Sequence, residues 1–362
     1  MTKDMTTGSS LKIILLFSIP VLLGNLFQQL YNMVDTIIVG RYLGEDALAA
    51  VGSTGCIMFL VLGFATGIAQ GFGVMISHAF GAKDFSLLKH YVALSLILTV
   101  IVSAILTVPT VAASRLFLIW MHTPDNILSM ADAYIKVIFA GIILTMLYNV
   151  AAGILRGIGD SKTPLYFLIF SSILNVVLDL LFIVVLKAGT AGAAYATIIA
   201  QLISWLFGIF YINIKYPEIA IRPFSRRFDK KLFRHIMNIG LPAGIQMSLI
   251  SVGVMALMAK INTFGEAYTA GYNAGNKIDN LAWLPMQALT TACTALVGQN
   301  VGAGKYDRAR KGIRAAILLG IAWAVSMTAI ILPNRYFALS LFSNTPATIE
   351  TGANFLICMM PF

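Results

Sequence analysis

The sequence carries very little charge for its length. Only 11% of its 362 residues are Asp, Glu, Lys or Arg, whereas 59% are hydrophobic. A water-soluble domain carries roughly 25% charged residues, because its surface must be hydrated. Apolar runs of about 20 residues or more, long enough to cross a hydrocarbon layer ~30 Å thick, recur along the chain. We therefore expect a multi-pass helical protein for which membrane lipid is the main solvent.

Cysteine is also scarce. Cys56, Cys293 and Cys358 lie far apart, each in an apolar stretch. This pattern excludes a disulfide framework and a cysteine-based zinc site. The sequence gives no reason to expect a resident cofactor.

The net charge of +10 could indicate a nucleic-acid partner, but the placement of the basic residues favours another explanation. We predict about ten spans, and most of the loop Lys and Arg residues lie on one side of them. The four on the other side are Arg41, Arg115, Lys187 and Arg335. Because loop Lys and Arg mark the cytoplasmic side, we expect a cytoplasmic N-terminus, an inner-membrane location and no nucleic-acid partner.

The longest polar stretch, 215–235, divides the chain after six predicted spans. It contains two prolines and much of the basic charge. We therefore predict an N-terminal lobe over 1–215, a cytoplasmic linker over 216–235, and helices seven to ten of a second lobe over 236–362.

An internal repeat supports two related lobes. Shifting the first half by about 221 positions aligns several short patches in the same order, among them Pro20 with Pro242, Gly44-Glu45 with Gly265-Glu266, and Gly81-Ala82 with Gly302-Ala303. Six spans per unit predict a parallel repeat. Phe362 aligns with the early part of the fourth span, so we expect about two further helices in a complete second lobe.

A polar stripe follows one face of the first predicted span. It consists of Asn25, Gln28, Asn32 and Asp35, at helical spacing among apolar residues. Polar groups at membrane depth face a bundle interior or a water-filled cavity and mark functional sites. The alternative is that Asp35 lies near the end of the span and only caps it.

A second polar group lies in the fifth and sixth spans. Asn175 and Asp179 are one helical turn apart, and Thr197 is followed one turn later by Gln201. Carboxylate, amide and hydroxyl oxygens suit a hard cation, and two nearby carboxylates can also share a proton. A structural hydrogen-bond cluster between helices is the alternative.

The second half has a weaker polar pattern. Gln246 lies in the seventh predicted span, and Asn273, Asn276 and Gln287 follow helical spacing in the eighth. These residues are candidates either for substrate contact or for helix packing.

The sequence resembles the multidrug and toxic compound extrusion (MATE) transporters, in particular their prokaryotic DNA-damage-inducible F-like branch. The resemblance covers nearly the whole chain. It depends on the Pro20-to-Asp35 segment, on the stretch from Leu155 through Arg156-Gly157-Ile158-Gly159-Asp160 to Pro164, and on the segment from Asn175 to Asp179.

The resemblance implies a twelve-helix, two-lobe antiporter and not an enzyme. Such proteins export organic, often cationic compounds by alternating access in exchange for Na⁺ or H⁺, and we expect a monomer. The cation-coupling residues, including any Na⁺ ligands, would be Asp35, Asn175, Asp179 and Thr197. Substrate-lining candidates are Gln28, Asn32, Tyr134, Gln201, Gln246, Asn273, Asn276 and Gln287.

The nearest alternative is a flippase for lipid-linked oligosaccharides or peptidoglycan precursors, from the same superfamily. A flippase for anionic lipids is expected to line its cavity with Arg or Lys. In this sequence nearly all basic residues fall in predicted loops, which favours the drug exporter.

Overall fold

The computed structural model describes residues 4–219, 229–343 and 345–360. Within these ranges the regular structure is helical, and no strand is present. The α-helices are α1 Ser10–Leu43, α2 Glu45–Gly81, α3 Phe85–Trp120, α4 Asp125–Ala140, α5 Ile142–Gly157, α6 Lys162–Asp179, α7 Gly189–Lys215, α8 Lys230–Asn262, α9 Glu266–Gly302, α10 Tyr306–Ile331, α11 Arg335–Ser340 and α12 Pro346–Met359. This confirms the predicted all-α polytopic fold.

In the described part of the chain, eight helical segments are long and apolar enough to cross a membrane. The pair α4 and α5, bent by 48° between them, makes a ninth when it is counted as one span. The bend falls at Gly141, where an added Cβ would lie 2.3 Å from Cδ1 of Ile198 on α7. The absence of a side chain at Gly141 therefore lets α7 pack closely against the bend. The short helix α12 falls where the sequence predicts the start of a tenth span.

The predicted linker over 216–235 lies partly outside the described residues, which omit 220–228. Helix α8 begins at Lys230, earlier than the predicted span at 236. The cause is Asp229, whose Oδ1 accepts hydrogen bonds from the backbone N–H groups of Lys231 and Leu232 at 2.7 and 3.2 Å. This N-cap begins the helix within the basic segment. The division into lobes itself stays a prediction.

The two halves of the molecule pack together at one side of the bundle, which we call the N-terminal face. It contains residues 4–9 and the turns 82–84, 158–161 and 303–305. Here α2 crosses α9 so closely that a Cβ on Gly302 would lie 1.9 Å from the carbonyl oxygen of His78. Further into the bundle, Gly71 on α2 lies against Gly240 on α8. Only residues without side chains permit such backbone contact.

The halves separate toward the opposite side, which we call the far face. A hydrogen bond from Ser251 Oγ on α8 to the Phe59 carbonyl on α2, at 3.4 Å, still joins the halves partway along these helices. Beyond it, a Cβ added at Gly52 or Gly55 on α2, or at Gly253 on α8, would meet no atom within 4 Å. The molecule is therefore V-shaped, closed at the N-terminal face and open at the far face.

The segment preceding α1 contributes to this closure. Met5 is completely buried, and its backbone N–H donates to Gln299 Oε1 at 3.0 Å. Gln299 Nε2 in turn donates to the Gly157 carbonyl at 2.9 Å. Asn300 and Arg308 also donate to the Met5 carbonyl. One chain segment thus joins the ends of α5, α9 and α10.

A second cluster at the N-terminal face ties α6 to the end of α7. Buried Asp160 accepts hydrogen bonds from the backbone N–H of Thr163 at 3.0 Å, from its hydroxyl at 2.6 Å, and from the Tyr216 hydroxyl at 3.0 Å. Burial and the Asp160 carboxylate raise the pKa of Tyr216 above its ordinary value. The phenol therefore remains a neutral donor, and the Arg-Gly-Ile-Gly-Asp motif ends in a carboxylate that joins the first turn of α6 to the end of α7.

Helix α1 contacts both halves. Its first turns, including Ile13, Ile14 and Phe17, form a buried apolar cluster with Ala292 and Leu296 of α9. Its later part packs against α6. Pro20 lies between these two regions, inside the helix.

Candidate functional site

A cavity of about 360 Å³ lies inside the first half of the molecule. It is enclosed mainly by α1, α2 and α4–α7, and its lining along α1 extends from Pro20 to Asp35. This stretch corresponds to about 22 Å of helix at 1.5 Å per residue. The cavity is thus elongated along α1, with Asp35 toward the far face.

Two carboxyl groups meet at the far-face end of the cavity. Asp35 on α1 and Asp179 on α6 are close enough to share a hydrogen bond when one of them is protonated. Asp179 is fully buried. Oδ1 of each residue is buried and has no hydrogen-bond partner among the described residues.

Asn175 and Thr197 complete this group. In the orientation that satisfies its neighbours, the Asn175 amide donates to Asp179 Oδ2 at 2.9 Å and accepts from the Thr197 backbone N–H at 3.1 Å. Thr197 Oγ1 donates to the Ala193 carbonyl at 3.1 Å. The structure therefore brings Asp35, Asn175, Asp179 and Thr197 together in one cluster. Spacing in the sequence showed only which of them share a helix face.

The backbone changes its winding directly after Asp179. Residues Leu180–Val185 form a π-helical turn, a rare conformation that is frequent at functional sites. The wider turn begins where α6 carries its buried carboxylate. Sequence periodicity gives no sign of this feature.

The predicted substrate-lining residues divide into two groups. Gln28, Asn32, Tyr134 and Gln201 line the cavity together with Asp35. Gln201 Oε1 also accepts a hydrogen bond from the Thr145 hydroxyl at 2.6 Å. These positions show that the α1 stripe lines the bundle interior and that Asp35 lies within α1 and not at its end.

The second-half candidates are not in this cavity. Gln246 lies in a shallow depression on α8 with Pro242, Ile245, Leu249 and Ile250. Asn273 and Gln287 on α9 are exposed, and Asn276 is half-buried. A role for them in substrate contact stays a prediction.

Sequence reasoning missed several lining residues. Tyr31 and Tyr148 line the cavity, and Tyr31 interacts with the Thr197 side chain. Tyr31 falls at helical spacing between Gln28 and Asp35, which is a signal that could have identified it. Asp279, a half-buried carboxylate on α9, is not part of this lining.

Arg156 requires a correction. The sequence places it in a cytoplasmic loop, whereas the structure places it in the last turn of α5 with its side chain lining the cavity. Helix α5 continues to Gly157, so its last turn still faces the bundle. The expectation that basic residues avoid the cavity therefore has an exception.

The residues around Asp35 and Asp179 suit a hard cation or a proton. They offer carboxylate, amide and hydroxyl oxygens, together with the Tyr31 phenol, and hard cations prefer oxygen ligands. The two carboxylate oxygens without partners offer positions where positive charge would be stabilised. An isolated carboxylate in such surroundings is costly unless it is paired.

Comparisons with known proteins agree on one family. The MatE family profile matches residues 20–181 and 242–362. The chain is 35% identical over 306 residues to the probable multidrug resistance protein YpnP of Bacillus subtilis, covering 84% of this chain and 68% of that protein. It is 32% identical over 349 residues to YoeA of the same organism, also a probable multidrug resistance protein, covering 94% and 75%.

Solved structures show the same fold. An outward-facing multidrug resistance MATE transporter of the MOP superfamily superposes with a TM-score of 0.88 at 27% identity, covering 99% of this chain and 79% of that one. A MATE protein in complex with MaL6 gives 0.87 at 27%, covering 99% and 80%. The chain therefore belongs to the MATE family of multidrug efflux transporters.

Proposed function

We propose that the protein exports small organic compounds, often cationic ones, in exchange for Na⁺ or H⁺ bound at Asp35 and Asp179. Members of this family are transporters rather than enzymes. The observation that carries the proposal is the contact between two carboxyl groups on α1 and α6, each with a buried oxygen that lacks a partner.

The orientation in the membrane follows from the basic residues. The turns of the N-terminal face carry Lys83 and Lys305, and Arg308 lies in the first turn of α10 beside them; loop Lys and Arg residues mark the cytoplasm. We therefore assign the N-terminal face to the cytoplasm of a bacterial or archaeal cell. The V-shaped molecule then opens outward, and we propose that it works as a monomer.

The carboxyl pair supplies a means of coupling. Two carboxylates in contact repel each other unless a proton or a cation lies between them. Binding of the ion would therefore favour the arrangement in which α1 and α6 bring Asp35 and Asp179 together. An ion can shift the transporter only by its different affinity for the two arrangements, so the distance between these carboxyls must change during the cycle.

Helix α1 would transmit this change to the other half. It carries Asp35 in the cavity, and its first turns pack against α9. Release of the ion to the cytoplasm would loosen the contact with α6, and the halves would rock apart at the N-terminal face. The proposal also includes the DNA-damage-inducible F-like branch of the family, Na⁺ or H⁺ as the coupling ion, and organic, often cationic substrates.

The experiment is an efflux assay in proteoliposomes. A cationic dye is loaded, and the Na⁺ and pH gradients are imposed independently. We expect dye export to follow one of the two gradients and to stop when that gradient is collapsed. Export that is independent of both gradients would contradict the proposal.

A further inference from the structure

Arg156 lies where two cavities meet. Its side chain lines the 360 Å³ cavity of the first half and also a smaller one of about 120 Å³. Asn149 on α5 and Thr66 on α2 line both cavities as well. The two spaces therefore share a polar boundary on which Arg156 supplies a positive charge.

The smaller cavity lies where the two halves meet near the N-terminal face, along α2, α5 and α9; we call this contact the seam. The first half contributes α2 and α5, and the second half contributes Thr290, Thr291 and Thr294 of α9. The contacts that close the N-terminal face, Gln299 with Gly157 and Gly302 with His78, lie at the ends of the same helices. Arg156 therefore lies behind the closed seam and would become accessible when the halves part there.

The guanidinium group of Arg156 has no partner among the residues that the structure describes. Among the described residues the Arg156 side chain makes no hydrogen bond and no ion pair, and the titratable group with which it interacts is the Tyr148 phenol. The nearest carboxylate in sequence, Asp160, already accepts hydrogen bonds from Thr163 and Tyr216. A largely enclosed charge without a partner is costly, and an anionic ligand would relieve that cost.

The long cavity is consequently bipolar. Asp35 and Asp179 supply negative charge toward the far face, and Arg156 supplies positive charge toward the N-terminal face. Arg is the side chain best suited to hold a carboxylate or phosphate, because its planar fork donates two parallel hydrogen bonds. A substrate with a cationic and an anionic group could satisfy both ends.

We propose that Arg156 binds an anionic group, a carboxylate or a phosphate, on the molecule that the protein exports. The inference rests on the proposed function and deepens it, since it adds a required charge to the substrate class. The group is received from the N-terminal face when the seam opens.

The test compares two dyes that differ in one charge. Rhodamine B is zwitterionic, with a free carboxylate on a cationic ring system, and rhodamine B ethyl ester has the same rings without the carboxylate. Equilibrium dissociation constants are measured by fluorescence anisotropy with the purified protein. We expect Arg156→Gln to weaken binding of rhodamine B about tenfold, as for loss of a charge-assisted hydrogen bond, and to strengthen binding of the cationic ester.

Two further variants keep the comparison specific. Arg156→Lys retains the charge but not the fork, so the loss for rhodamine B should be smaller than with Gln. Arg310→Gln removes an exposed arginine at the start of α10 and should leave both affinities unchanged. Equal weakening of both dyes by Arg156→Gln, or no change in either, would overturn the inference.

The source of the anionic group and the proposed function are tested separately. Binding is repeated in vesicles of phosphatidylcholine with and without phosphatidylglycerol. If the anionic lipid abolishes the wild-type protein's binding of rhodamine B, a lipid headgroup occupies Arg156 and the inference is overturned. Wild-type vesicles that fail to export either dye under any ion gradient contradict the proposed function, whereas the affinity comparison still decides the role of Arg156.

Discussion

Asn175 connects the buried carboxylate of Asp179 to the backbone of α7 through a single amide. The amide nitrogen donates to Asp179 Oδ2, and the amide oxygen accepts from the Thr197 N–H. The amide therefore fixes the direction in which Asp179 presents its unpaired oxygen.

We expect Asn175→Leu to raise the ion concentration for half-maximal dye export at least tenfold, because Asp179 loses its donor. The measurement is dye efflux as a function of the driving ion. Ser172→Ala, which removes a hydroxyl that donates to the Leu168 carbonyl one turn earlier on α6, is the matched control. An unchanged ion dependence in Asn175→Leu would show that the amide has no part in coupling.

Tyr216 stabilises the N-terminal face rather than the carboxyl pair. Its hydroxyl donates to Asp160 Oδ2, so Tyr216→Phe leaves a buried carboxylate with fewer donors. We expect the thermal unfolding midpoint to fall by several degrees, since losing a hydrogen bond to a charged group costs about 1.5–3 kcal/mol. Tyr195→Phe, at an exposed position on α7, should leave the midpoint unchanged, and equal shifts in both variants would refute the assignment.

Residue spacing was sufficient to predict the α1 stripe, because helical periodicity alone decides which side chains share a face. It placed Gln28, Asn32 and Asp35 on one face of α1, and in the structure all three line the same cavity. It could not place Arg156, since whether a helix end faces solvent or a cavity depends on its tertiary neighbours. The coupling roles of Asp35 and Asp179 stay predictions.

At the scale of the helix, α1 combines two packing surfaces around an internal proline. Pro20 has no N–H, so the Leu16 carbonyl lacks the donor that would normally lie four residues later in the helix. The turn around Pro20 is therefore the place where α1 can bend between its contact with α9 and its contact with α6.

We expect Pro20→Ala to restore the missing hydrogen bond and stiffen this turn. Hydrogen exchange measured by mass spectrometry should slow about tenfold in peptides that cover residues 16–24. Pro109→Ala, which changes a proline inside α3, should slow exchange only in α3. Unaltered exchange around position 20 would mean that the proline is not a hinge.

The glycine contacts between α2 and α9 give a second prediction at this scale. A Cβ on Gly302 would overlap the His78 carbonyl, so Gly302→Ala should force the N-terminal face apart. Thr294→Cys, in a protein with its native cysteines replaced by Ser, then reports whether a membrane-impermeant thiol reagent reaches the seam. Labelling should rise severalfold with Gly302→Ala and stay constant with Gly253→Ala, where space is open; no rise would contradict the proposed closure.

Helix type and the approximate positions of the spans were predictable from apolar length, but the irregularities within helices were not. The bend at Gly141 accommodates Ile198 of α7, and the π-helical turn follows Asp179 on α6. Both depend on contacts between distant segments. A pattern of period 3.6 along one segment contains no information about them.

At the scale of the molecule, closure at one face and separation at the other describe one state of a rocking cycle. The closed seam joins α2, α5, α8 and α9, and the cavity with the carboxyl pair lies in the first half. The repeat in the sequence predicted two similar halves. The polar spans, rather than the repeat, placed both Asp35 and Asp179 in the first half.

The most direct measurement is dye accumulation against a gradient in proteoliposomes containing Asp35→Asn, compared with the wild-type protein. Asp46→Asn, an exposed carboxylate at the start of α2, is the matched control. If Asp35 and Asp179 bind the coupling ion together, Asp35→Asn abolishes concentrative export under the driving gradient, while Asp46→Asn exports like the wild type. Concentrative export by Asp35→Asn that equals wild type, with the same dependence on the ion gradient, would contradict the coupling role of this pair.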